Sequence, residues 1–138
     1  MQTLVSFKED LCREDFNAIP FINADGYHSK TIAYSIWHIF RIEDIVAHTV
    51  ITEDEQVFFT GNYQVRINSP IITTGNELVK QQIADFSKQL NLEELYSYIF
   101  EVRESTEKIL ERFSYDELKW KIPDERKGYF KIAECSKL

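Results

Sequence analysis

No glycine or proline interrupts residues 27–60, and the centre of that stretch is mostly apolar: Tyr34-Ser35-Ile36-Trp37-His38-Ile39-Phe40-Arg41-Ile42-Glu43-Asp44. A run of that length without a breaker reads as one long helix rather than as strands, which are shorter and bounded by turn residues. The run nevertheless carries His38, Arg41, Glu43 and Asp44. A polar group inside a packed helix costs stability unless it is paired or used. This helix is therefore the first place to look for function.

The whole chain has few breakers, four Gly and three Pro in 138 residues. That scarcity favours an all-α fold, and the length suits a single helical-bundle domain over residues 1–138. Leu4, Phe7 and Leu11 recur at helical spacing, which predicts a first helix over about residues 2–18, ended by Pro20. Residues 20–28 read as a loop with the turn signal Asn23-Ala24-Asp25-Gly26. Ser29 is the expected N-cap of the second helix, which runs to about Ile51. One apolar row on it holds Ile32, Ile36, Ile39, Val46 and Val50, and another holds Tyr34, Ile42, Ile45 and Thr49. A helix apolar on several sides belongs at the centre of a bundle.

Thr52 with Glu55 reads as a capping box opening a short helix through Val57, Phe58 and Phe59. Residues 60–73, with Gly61-Asn62 and Pro70, read as irregular. Thr74 with Glu77 is a second capping box, opening a helix to about Leu90. Asn91 with Glu94 starts the next, whose seam is Leu92, Leu95, Ile99, Val102, Thr106, Ile109 and Phe113. Its other face is charged through Glu101, Arg103, Glu104, Lys108 and Glu111. Ser114 with Glu117 caps one more short turn, and the tail after Trp120 has no long amphipathic pattern.

A net charge of −7 argues against nucleic-acid or anionic-membrane surfaces, which reward clustered Lys and Arg. Cys12 and Cys135 lack metal-type spacing and read as reduced thiols of a cytoplasmic protein. The N-terminus, which reaches Lys8, Glu9 and Asp10 early, is not a signal peptide, and no run is apolar enough to span a bilayer.

At about 100° per residue, His38 falls in the row of Tyr34, Ile42, Ile45 and Thr49. Arg41, Asp44 and His48 form a neighbouring row whose spacing suits an ion pair and a hydrogen bond. The structural readings are a hydrogen-bonded core histidine at His38 and a surface or interface charge row at Arg41, Asp44 and His48. Glu43, partly buried, would hold a neighbouring helix through an Arg or a cap. A metal shared by His38 and His48 is ruled out on one straight helix. Ten residues separate them by about 15 Å, whereas ligand nitrogens sit about 2 Å from a zinc. No His-x-x-x-His, Cys-x-x-Cys, His-Glu-x-x-His or phosphate-binding glycine loop is present.

The string Thr31–Asp44, with Gly75-Asn76-Glu77-Leu78 and the long helix after Asn91, resembles the DinB-like (YfiT-like) superfamily of metal-dependent enzymes. The resemblance implies a four-helix bundle, often dimeric, with a divalent nickel or zinc held by three histidines. On it His38 is the first ligand, with Arg41, Glu43, Asp44 and His48 as possible supporting polar residues. The remaining family ligands form His-x-x-x-His on the last helix. This chain has no histidine after His48. The last helix is thus expected to be short or missing, leaving an apolar groove that a second copy would cover. The implied activity is that of a thiol S-transferase or hydrolase-like enzyme acting on a small molecule. The alternative is a non-catalytic helical dimerisation or small-molecule-binding module.

Overall fold

The computed structural model describes residues 13–17 and 31–113. Among these the chain is helical, with no strand: α1 (Arg13–Phe16), α2 (Ile32–Asp44), a π-helical continuation (Ile45–Thr52), α3 (Val57–Thr60), α4 (Tyr63–Ile67), α5 (Gln81–Gln89) and α6 (Leu92–Arg112). The expected first helix lies mostly outside the described residues, as do the loop at 20–28, Ser29, the Ser114 cap and the tail. No helix among the described residues is long and apolar enough to cross a membrane.

α2 begins at Thr31, whose hydroxyl accepts the Tyr34 amide at 3.0 Å and occupies the capping role expected of Ser29. The same hydroxyl donates to Ser87 Oγ at 2.7 Å, and Ser87 donates to Asn17 Oδ1 at 2.6 Å. One buried relay thus ties the end of α1, the start of α2 and α5. The inward face of α2 carries Ala33, Tyr34, Ile36, Trp37 and Phe40, all in the core. Trp37 is fully buried and meets Phe86 of α5 edge-on at 4.8 Å. Ile39 departs from its predicted apolar row and is 56 % exposed.

The helix does continue to Thr52, but its last eight residues, IVAHTVIT, are π-helical. Six of the eight are β-branched, the residues that crowd the preceding turn of an α-helix. Glu53 ends the segment in the left-handed region (φ 56°), returning its amide to the His48 carbonyl.

Three boundaries differ from the sequence reading, each for a local reason. Thr52 and Glu55 do not form the cap of α3. The Thr52 hydroxyl turns back to Ala47 O and to Asp54, while the amides of Val57 and Phe58 go to Asp44. Residues 60–73 include the short helix α4, entered and left through left-handed Asn62 and Asn68. Thr74 and Glu77 open no helix. Thr73 takes Glu77 instead, at 2.5 Å, and α5 starts only at Gln81. The Asn91 cap is present, with Glu94 N donating to Asn91 Oδ1 at 3.2 Å. Leu95, Ile99, Val102 and Ile109 of α6 are buried on the predicted seam, and Glu101, Glu104, Lys108 and Glu111 are exposed.

Contacts from α2 and its π-helical continuation to α6 advance in the same direction: Phe40 meets Tyr98, Glu43 meets Arg103, and His48 meets Ser105. The two long elements therefore run parallel, with the segment 53–80 crossing between them. Gly75 sits on this segment at φ 86°, and a Cβ there would lie 2.8 Å from the Trp37 ring and 3.0 Å from the Tyr34 ring. Gly75→Ala should destabilise the fold by about 1–3 kcal/mol, from backbone strain and the clash together. Urea unfolding followed by tryptophan fluorescence measures it.

Candidate functional site

The polar side chains of α2 have a shared task that its sequence alone does not reveal. Residues 72–75 lie along the helix in irregular conformation, and Gly75 O accepts the Leu78 amide at 3.0 Å. Tyr34 Oη donates to Gly75 O at 3.0 Å. His38 Nδ1 lies 2.5 Å from Thr74 O. Arg41 Nε donates to Thr73 O at 3.3 Å, and its Nη2 donates to Ile72 O. Four successive carbonyls are thus met by three side chains spaced four and three residues apart, one stripe of a helix. His38 is 4 % exposed and stacks on Tyr34 with ring centroids 5.4 Å apart. Because a carbonyl only accepts, His38 Nδ1 carries a proton and donates it to Thr74 O. Burial, then the Glu77 carboxylate, pushes the Tyr34 hydroxyl up to about 12, so it stays a donor.

Arg41, Asp44 and His48 are not a surface row. Arg41 and Asp44 are fully buried and His48 is 7 % exposed. Arg41 Nη1 contacts Asp44 Oδ2 at 3.3 Å and Tyr98 Oη at 3.2 Å, with the guanidinium 4.1 Å over the Phe58 ring. Asp44 Oδ1 accepts the Val57 amide and Oδ2 the Phe58 amide, both at 2.9 Å; Tyr98 Oη donates to Oδ2 at 2.7 Å. A carboxylate from another helix thereby caps the first turn of α3. Burial pushes the Tyr98 hydroxyl well above its ordinary value, against the pull of Arg41 and with the help of Asp44. Glu43 reaches Arg103 of α6 at 3.0 Å, the interhelical role read for it from sequence. Removing one member of a buried, hydrogen-bonded ion pair strands the other charge. Asp44→Ala should therefore lower stability by about 3–5 kcal/mol. Thermal and urea melts of the variant check it.

His48 stands apart from this network. Its Nδ1 lies 2.6 Å from Asp54 Oδ1 and its Nε2 2.8 Å from Ser105 Oγ. Asp54 also receives the Thr52 hydroxyl. His48, Asp54 and Ser105 line a cavity of about 440 Å³ between the π-helical turn, residues 53–60 and α6. Neither Asp54 nor Ser105 stands out in the sequence. Ser105 is 57 positions from His48, and only the parallel packing of the two helices brings them together. Beside the cavity, burial and the bond to Glu101 push the Tyr63 hydroxyl up to about 12.

Burial works against ionisation of Asp54, but the bonds from Thr52 and His48 and the attraction of His48 prevail and hold its carboxyl below the ordinary value. A carboxyl lowered in the folded state adds stability that is complete above its unfolded value, about pH 4, and is lost as pH falls through the lowered value. Wild type and Asp54→Asn should therefore differ in stability near neutral pH and converge in acid. Melting temperatures across that range measure the difference.

The residues singled out from sequence do not assemble one metal site. His38 faces residues 72–75, Asp44 is saturated by two amides, a phenol and a guanidinium, Glu43 pairs with Arg103, and His48 is bonded through both ring nitrogens. Among the described residues no group of three His, Cys, Asp or Glu side chains is placed to hold a metal ion. Comparison with models of known families, with curated proteins and with solved structures finds no match.

Proposed function

We propose that this chain is a DinB-like helical-bundle protein, related to metal-dependent enzymes that act on small molecules through thiol S-transfer or hydrolase-like chemistry. The observation that supports this most is the setting of His38. It is buried in the middle of α2 and stacked on Tyr34, with its Nδ1–H on a backbone carbonyl. Histidines that ligate metals are commonly braced in this manner, the second nitrogen fixing ring orientation and tautomer. Among the described residues no group of three His, Cys, Asp or Glu side chains is placed to hold nickel or zinc there. On this reading two copies of the chain associate, and Ile39, 56 % exposed at mid-helix, belongs to the contact.

Metal content of the tag-free protein, measured by plasma mass spectrometry, tests the proposal. A stoichiometric divalent metal that is lost in His38→Ala, with helical circular dichroism intact, is the expected result. No metal above background would remove it. Light scattering at micromolar concentration should give a dimer mass, and a monomer would remove the association.

The second reading is a non-catalytic association or small-molecule-binding module in which His38 is structural. It is favoured by the hydrogen bond to Thr74, which serves the fold whether or not a metal binds. On that reading His38→Ala lowers stability and leaves metal content unchanged.

A further inference from the structure

We propose that Ser105, His48 and Asp54 form a nucleophilic site for acyl transfer from small esters. The site is separate from His38 and independent of any metal reading. The three side chains come from α6, the π-helical segment and the turn after it, and share one cavity. With His48 in its neutral form, these contacts assign the proton roles. Asp54 accepts from His48 Nδ1–H at 2.6 Å, so Nε2 is the basic nitrogen. The Ser105 hydroxyl, 2.8 Å away, is then the donor to Nε2. A hydroxyl hydrogen-bonded to an imidazole that is itself oriented by a carboxylate is the arrangement that activates serine, and it is recognised by geometry rather than chain order. A simple interhelical clamp needs no open volume beside it. This one borders an open, largely polar cleft of about 440 Å³.

The step balances without a cofactor. Ser105 Oγ attacks the ester carbonyl carbon as its proton passes to His48 Nε2, and the bond from carbon to the alkoxy oxygen breaks. His48 returns the proton to the departing alkoxide. Water then attacks the acyl-serine, giving its proton to His48, and Ser105 leaves with that proton as the free carboxylic acid forms. Asp54 is a positioning residue that stabilises the imidazolium while it exists. Lys108 lines the same cavity one helical turn beyond Ser105 and offers positive charge to the developing oxyanion. Its 3.3 Å pair with Glu104 joins side chains 70 % and 69 % exposed, a weak tie that leaves it able to move. The remaining charged groups on the wall, Asp54, Glu55, Glu101 and Glu104, are acidic. That field favours uncharged or cationic acyl groups over anionic ones.

The test uses the full chain and an uncharged alkyl fluorophosphonate. Attack by Ser105 forms an oxygen–phosphorus bond and expels fluoride, His48 taking the proton. Intact-mass and peptide mass spectrometry should find one adduct, on Ser105, absent in Ser105→Ala. Its rate should fall about 100-fold or more in His48→Ala and in Asp54→Asn, and Asp54→Glu, which keeps the carboxylate, should recover part of the loss. Wild type left unmodified at Ser105, or modified only at another residue, overturns the proposal, and this outcome does not depend on whether a variant folds. Among p-nitrophenyl esters, the betaine ester should turn over about tenfold or more faster than the hemisuccinate at low salt. The reverse order overturns the substrate class.

Discussion

The four carbonyls of residues 72–75 are the constraint around which α2 is built. An irregular segment laid on a buried helix brings polar backbone groups against it, and the buried ones, at Thr74 and Gly75, would cost free energy if left alone. Here Tyr34, His38 and Arg41 supply the donors. The polar residues of an otherwise apolar helix are therefore structural partners of a distant loop. Gly75 completes the arrangement, because only a residue without a side chain lets the backbone come this close to Trp37 and Tyr34.

Arg41 links that stripe to a second arrangement one turn further on. Its guanidinium touches both the carbonyls of 72–73 and the Asp44–Tyr98 pair. Asp44 in turn caps α3 and fixes where the chain re-enters the bundle after the π-helical turn. With Tyr98 pinned against Asp44, the register between α2 and α6 is set, and His48 arrives opposite Ser105. The geometry at the cavity is thus a consequence of a saturated network about a turn away. A mutation in that network would shift the cavity as well as cost stability.

The sequence made the helices legible where pattern was long and caps were local. The second helix, the Asn91 cap and the seam of α6 follow from apolar spacing and a single side chain. It misled where a partner came from far away. Thr52-Glu55 and Thr74-Glu77 look like capping boxes, but Asp44 caps α3, and Arg41 and His38 hold the loop where a helix was expected. Arg41 and Asp44 looked like a surface pair because charges rarely lie inside, and no local signal announces Tyr98 or the α3 amides as their partners. Ser105 was illegible for the same reason. One serine on a charged helix has no pattern until the packing of two helices gives it a histidine.

His38 and His48 sit ten residues apart on one continuous helical run, and their partners separate what each can do. A backbone carbonyl beside Nδ1 fixes a tautomer and an orientation but offers no countercharge. His38 therefore suits the bracing of a loop. A carboxylate beside Nδ1 adds the countercharge that makes transient protonation affordable, and a hydroxyl on Nε2 supplies the proton. Both rings are buried, but His38 stacks on Tyr34 while His48 lies on the wall of a cleft. Proton transfer belongs at the end of the helix, at His48, which the family resemblance offered only in a supporting role.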